Sequence, residues 1–137
     1  MNKILITGIT GFLGRNLVKY IRDNKLPYQV CGLGNSEKKL VFFHKLYPEI
    51  TVYKYNICNE GFKETFRNIL NKEKVKYVIH SAAMKYVDIC ERNPIETVNT
   101  NIIASKIIID LCIESNIENL ICLSTDKSNT PFNVYGM

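Results

Sequence analysis

The stretch Thr7-Gly8-Ile9-Thr10-Gly11-Phe12-Leu13-Gly14 directly follows an apolar run, Ile4 to Thr7, and directly precedes a segment with helical periodicity. No other feature of the chain constrains its fold as much. Gly8 permits a tight turn, Gly11 leaves the backbone approachable with no side chain in the way, and Gly14 allows a helix to start close against the strand it leaves. A glycine pattern is informative only in such a strand-to-helix context, and here both flanks are present.

The rest of the sequence repeats that alternation. Apolar runs short enough for buried strands recur at Ile4–Thr7, Tyr28–Leu33, Thr51–Tyr55, Tyr77–His80 and Leu120–Leu123, separated by longer helix-patterned segments. The expectation is the α/β class, with a parallel sheet covered by helices. One helix is predicted from about Gly11 to Asn24, with Phe12, Leu17, Val18 and Ile21 on one side. Another is predicted from about Glu60 to Lys72, with Phe62, Phe66, Ile69 and Leu70 repeating.

A third helix should open at Asn93-Pro94-Ile95-Glu96, where a capping residue, a proline at the first helical position and a glutamate able to reach back stand in order. It should run to about Ser115. Ile95, Val98, Ile102, Ile103, Ile107, Ile108, Ile109, Leu111, Cys112 and Ile113 give it more apolar surface than one face against a sheet can bury, so a second partner is expected. No internal repeat, low-complexity tract or linker interrupts the pattern. A chain of 137 residues is then read as one domain, able to enclose a core without metals or disulfides.

Composition narrows the function classes. No apolar run approaches the roughly 20 residues that cross a bilayer, so no membrane span is expected. The N-terminal apolar stretch is too short for a secretory signal, which points to the cytoplasm. Cys31, Cys58, Cys90, Cys112 and Cys122 show no C-x-x-C spacing and are read as reduced packing residues, with no metal site among them. The net charge of +5 comes from lysines spread among glutamates, which gives a solvated surface and no nucleic-acid stripe. A basic cleft for a diphosphate remains compatible with it.

At the glycine turn, free backbone N–H groups and the helix dipole would attract a negative ligand, and the spacing favours the paired phosphates of a dinucleotide. Gly8, Thr10, Gly11, Phe12, Leu13 and Gly14 are therefore candidate cofactor contacts. After the second strand the sequence reads Gly34-Asn35-Ser36-Glu37-Lys38-Lys39. Asn35 and Ser36 occupy the expected ribose position without an acid, and Lys38 or Lys39 could approach a 2′-phosphate, which tilts the reading slightly toward NADP over NAD. Equally, Ser36 could cap the next helix and the lysines could be surface residues.

The fourth strand ends in His80-Ser81-Ala82-Ala83-Met84-Lys85, small residues beside which a cofactor could lie close. His80 reads as a buried histidine satisfied by hydrogen bonds in preference to a catalytic one. Lys85 could pair with a phosphate or be solvated.

The glycine spacing with Phe12-Leu13 resembles the extended short-chain dehydrogenase/reductase superfamily. More specifically, His80-Ser81-Ala82-Ala83-Met84-Lys85, Glu91-Arg92-Asn93-Pro94, Thr100-Asn101, Ser124-Thr125-Asp126-Lys127 and Asn133-Val134-Tyr135-Gly136 resemble the polysaccharide-biosynthesis branch that includes inverting UDP-N-acetylglucosamine 4,6-dehydratases. The resemblance covers essentially the whole chain. It implies a Rossmann-like, doubly wound parallel sheet in three layers, strand order 3-2-1-4-5, with NAD(P) across the ends of strands one and four.

Residues 1–137 would then be an incomplete NAD(P)-binding domain, a truncated Rossmann unit without the C-terminal substrate domain. In that family, hydride leaves the sugar's C4, water is eliminated across C5 and C6, and hydride returns to C6. The resemblance makes Tyr135 the base at the C4 hydroxyl, places Thr125 near it, makes Asp126 and Lys127 the acid and base of the elimination, and gives Asn101 a part in the proton path. It also implies cofactor contacts from Asn56, Ile57, Ala82, Ala83, Lys85 and Asn101, with Asn56 and Asn59 standing where the family often has aspartates near the adenine. A UDP-sugar is the implied substrate and a homo-oligomer the implied assembly.

A tyrosine with an ordinary pKa near 10 needs a nearby cation to ionise at neutral pH. The family's lysine stands four residues after the tyrosine, one helical turn on, and is expected to lie past Met137. Two rival readings stay open: a nucleotide-sugar 4-epimerase, which shares the tyrosine and lysine but needs no Asp-Lys pair, and a non-catalytic dinucleotide-binding fragment.

Overall fold

The computed structural model describes residues 1–137. Strands β1 (Asn2–Thr7), β2 (Tyr28–Gly34), β3 (Thr51–Lys54), β4 (Tyr77–His80) and β5 (Asn119–Cys122) form one parallel sheet in the order β3-β2-β1-β4-β5. The expected α/β class and strand order are therefore observed. Helices α1 (Phe12–Asp23), α2 (Glu37–Leu46) and α3 (Phe62–Glu73) follow the first three strands. After β4 come α4 (Val87–Arg92), α5 (Pro94–Val98), a π-helical segment (Asn99–Ile103) and α6 (Ala104–Glu114).

Two apolar layers flank the sheet. On one face, Phe62, Phe66, Ile69 and Leu70 of α3 and Ile108, Leu111 and Cys112 of α6 close over Leu5, Cys31, Leu33 and Val78. On the other, Val18 and Ile21 of α1 and Phe43 of α2 cover Ile4 and Ile6. Alternate residues of β1 thus point into opposite cores, as strand geometry requires. Each fully buried side chain of this size contributes about 2 kcal/mol of burial free energy. A polar clamp seals the first layer: Lys3 pairs with Glu73 at 2.7 Å, and the Tyr53 hydroxyl donates to the same carboxylate. Burial alone would raise the Glu73 carboxyl, yet the bonds from Lys3 and Tyr53 hold it below the ordinary range.

Helix ends fall within two residues of the expectations for α1 and α3, and Gly11 and Asn24 are the caps of α1. The third predicted helix departs further. Its N-terminal capping box is not made, because Asn93 turns its side-chain amide back to the Ile89 carbonyl, 2.9 Å away, and closes the unpredicted helix α4. The helical run is then interrupted by the π segment, in which the Ala104 amide reaches back five residues to the Asn99 carbonyl.

The predicted surplus of apolar surface is real: Ile95, Ile102, Ile103, Ile109 and Ile113 are all exposed. Cys31, Cys90 and Cys112 are buried as expected of packing residues, whereas Cys122 on the edge strand is exposed. No helix is long and apolar enough to cross a membrane.

Candidate functional site

Because all five strands are parallel, every loop that follows a strand opens on the same edge of the sheet. The strand order sorts the candidate residues along that edge. Asn56 and Ile57 follow β3, Asn35 and Ser36 follow β2, the glycine turn follows β1, Ala82 to Lys85 follow β4, and Thr125 to Lys127 follow β5. Sequence order reverses between β1 and β4, the switch point at which open α/β sheets bind ligands.

The glycine turn is set by backbone geometry. Gly8 has φ of 73°, a left-handed conformation, and a Cβ there would sit 3.0 Å from the Ala82 nitrogen. The Gly8 and Ile9 amides are both spent on the Leu33 carbonyl, at 2.9 and 3.1 Å. Gly14 is buried against Ile9, where a Cβ would stand 2.5 Å from the carbonyl oxygen, so α1 begins in contact with the turn.

The Thr10, Phe12, Leu13 and Gly14 amides have no protein acceptor. Gly11 caps the helix without a side chain, and the first turn carries no acid. An uncapped, acid-free helix end with a bare approach at Gly11 fits a pyrophosphate. Phe12 and Leu13 are exposed beside it, and the Thr10 methyl lies near Gly34.

At the end of β2, Ser36 does cap α2, its Oγ accepting from the Lys39 amide at 3.4 Å. The hydroxyl keeps its own proton free to donate, and Asn35 beside it is exposed. Lys38 and Lys39 stand in the first turn of α2. Asn56 folds its side chain back to accept from the Cys58 amide at 3.2 Å, a local turn. Ile57 is buried in the core, so only its backbone can face a ligand.

At the end of β4, donor counting fixes the protonation pattern. The Thr7 hydroxyl oxygen accepts from the Ser81 and Ala82 amides, both at 3.2 Å, and its proton goes to His80 Nδ1 at 2.6 Å. His80 therefore carries its proton on Nε2 and donates to Ser105 Oγ at 2.9 Å, which donates in turn to the Asn101 carbonyl at 2.8 Å. Burial pulls the His80 imidazole down to about 4. The reading of His80 as a buried, satisfied histidine holds.

Asn101, in the π segment, grips the Met84 backbone twice: it accepts from the Met84 amide and donates to the Met84 carbonyl, each at 2.8 Å. Its amide is thus spent on shaping the loop. Nothing in the sequence signals this bond, which joins a side chain to a backbone 17 residues away. Ala82 and Met84 are half-buried, Ala83 is exposed, and the exposed Lys85 ammonium lies over the Tyr86 ring, 6.0 Å from its centre.

Past β5, Asp126-Lys127-Ser128 form a single 3₁₀ turn capped by Thr125, whose Oγ1 accepts from the Lys127 amide at 3.3 Å. Asp126 and Lys127 point to solvent with 3.7 Å between Oδ1 and Nζ. The chain then folds back, bringing Gly136 against the Lys127 carbonyl, where a Cβ would stand 2.6 Å away. Glu91 of α4 accepts from the Val134 amide, and Asn133 Oδ1 accepts from the Gly136 amide at 2.8 Å. Tyr135 is therefore held half-buried in a turn that touches the Thr125–Lys127 segment. Glu91 is a further contributor that the sequence reading did not place.

The fold and this edge define a Rossmann-type domain of the extended dehydrogenase/reductase kind. The family profile described as polysaccharide biosynthesis protein matches residues 4–137, and the chain belongs to that family. It is 36% identical over 133 residues to an inverting UDP-N-acetylglucosamine 4,6-dehydratase of Campylobacter jejuni, spanning 97% of this chain and 39% of that protein. It is 40% identical over 141 residues to a UDP-glucose 4-epimerase of Rickettsia canadensis, covering 98% of this chain and 39% of the epimerase. Among solved structures, Pen from Bacillus thuringiensis superposes with a TM-score of 0.88 at 28% identity, over 98% of this chain and 40% of that one. The chain thus spans about two fifths of the length of the curated relatives it matches.

Proposed function

We propose that residues 1–137 are the NAD(P)-binding part of a nucleotide-sugar 4,6-dehydratase, a lyase acting on a UDP-N-acetylhexosamine in the synthesis of polysaccharide or glycan precursors. The observation that carries this reading is the glycine turn: four unpaired amides at a helix start with no side-chain cap and no acid, beside a glycine that leaves the approach bare. The 36% identity to a dehydratase supports the choice of reaction.

When bound, the nicotinamide would accept and return a hydride. Within this chain, Tyr135 would take the proton of the sugar's C4 hydroxyl, with Thr125 hydrogen-bonding beside it. Asp126 and Lys127, adjacent and of opposite charge, suit opposite proton transfers in the loss of water across C5 and C6. Asn35 and Ser36 would meet the adenosine ribose, Asn56 and the Ile57 backbone the adenine, and Ala82, Ala83 and Lys85 the nicotinamide side. Asn101 would act on the cofactor through the Met84 segment it holds. A lysine one helical turn past Tyr135 and a sugar-gripping region would complete the enzyme, which we also read as a homo-oligomer. Five unpaired thiols suit the reducing cytoplasm.

A 4-epimerase is the second reading, favoured by the 40% identity to the Rickettsia protein. Mass spectrometry of the full-length protein's product from UDP-N-acetylglucosamine separates the two. A dehydratase yields a product lighter by one water and loses activity in Asp126→Asn and Lys127→Ala. A product of unchanged mass, with activity largely kept in both variants, would establish the epimerase instead.

A further inference from the structure

One polar chain links the two halves of the candidate edge. It runs from Thr7, the last residue of β1 before the glycine turn, through His80 at the end of β4 and Ser105 in α6 to Asn101, and ends on both backbone groups of Met84. Donor counting gives each hydroxyl and ring nitrogen one direction of donation; Ser105 donates to the Asn101 backbone carbonyl, and the Asn101 side chain separately grips Met84. Thr7 and His80 are both buried, and Ser105 and Asn101 are half-buried. No buried side-chain polar atom in the protein lacks a partner, which means a break in this chain leaves a donor or acceptor stranded.

We infer that His80 and Ser105 are positioning residues for the dinucleotide: by holding the Asn101 carbonyl in the π segment, they aim its side chain at Met84 and so fix the Ala82–Lys85 segment relative to the glycine turn. The π segment matters because a widened turn is uncommon and is placed mostly at functional sites. A Cβ on Gly8 would sit 3.0 Å from the Ala82 nitrogen, so the glycine turn and the Ala82–Lys85 segment lie in close contact. Histidine is suited to the junction because its two ring nitrogens reach opposite ways, toward β1 on one side and α6 on the other. The effect on ligand binding rests on the dinucleotide reading above, whereas the effect on the Met84 backbone does not.

The test uses Ser105→Ala, His80→Gln and His80→Asn in the full-length protein. Ser105→Ala removes one hydroxyl from a helix and suits a helical backbone. His80→Gln keeps a donor toward Ser105, whereas His80→Asn keeps only the acceptor toward Thr7. Amide hydrogen exchange at Met84 is read against the β1 amides, which report global stability, and dinucleotide affinity is measured alongside.

The expected result is faster Met84 exchange and a several-fold weaker dinucleotide in Ser105→Ala and His80→Asn, with His80→Gln closer to wild type on both counts. Met84 exchange that merely follows β1, or unchanged affinity in Ser105→Ala, would overturn the positioning role. If the wild type binds no dinucleotide, the functional reading falls, and exchange at Met84 alone decides whether the chain positions that segment.

Discussion

Gly14 stands over Ile9 so closely that a methyl group on it would meet the Ile9 carbonyl oxygen at 2.5 Å and the Ile9 Cα at 2.6 Å. Backbone is the obstacle, so nothing can rotate away. Gly14→Ala should therefore push α1 off the turn and cost about 1–3 kcal/mol in chemical denaturation, as overpacking in a tight core does. An unchanged midpoint would show that α1 has room to retreat.

Stability should also depend on pH through His80. Its imidazole is pulled from 6.5 down to about 4 in the folded protein by burial, so the unfolded chain binds more protons between those values. Stability is then fully present above pH 6.5 and falls as pH drops toward 4, by up to about 3 kcal/mol from this group. Denaturation midpoints across that range should show the slope, and His80→Gln should flatten it. An equal slope in the variant would place the titrating group elsewhere.

Lys38 and Lys39 open α2 next to the proposed ribose position, and no acid follows β2 before Glu37. If a 2′-phosphate is met there, Lys38→Ala with Lys39→Ala should weaken NADP several-fold while leaving NAD unchanged in calorimetric titration. Equal loss for both dinucleotides, or none for either, would leave these lysines as surface residues.

Ile95, Ile102, Ile109 and Ile113 expose large apolar area along α5, the π segment and α6. Exposed apolar surface of that kind drives association. Sedimentation velocity of this chain should show self-association that Ile102→Glu with Ile113→Glu reduces. A wild-type chain that stays monomeric at high concentration would contradict the expectation.

The parts of the fold written in local sequence were readable in advance. The strand at Tyr77–His80 and the core-facing residues of α3 follow from short apolar runs and helical periodicity, whereas the sheet order follows from the family resemblance. On α1, Val18 and Ile21 are buried as the periodicity has it, but Phe12, expected on the same side, is exposed at the glycine turn. Contacts between distant side chains and backbone were not readable. The capping role of Asn93 was misjudged because its amide found a nearer acceptor at Ile89, and α4 is too short to leave a periodic signature. The π segment gives no sequence signal, and neither does the grip of Asn101 on Met84 or of Glu91 on Val134, since each is decided by tertiary packing. Ser36 carried two readings, and the structure gives it the cap while leaving its proton available.

The most direct test of the account is a titration of NADP and NAD into the protein, wild type beside Gly11→Val. Gly11 is exposed with extended backbone, and a Cβ there meets only the Gly8 carbonyl at 3.1 Å, so the variant should fold while filling the approach to the free amides. The wild type should bind saturably, with affinity lower by about tenfold or more in the variant. A folded wild type that binds neither dinucleotide, or a variant that binds as well as the wild type, would contradict the dinucleotide reading.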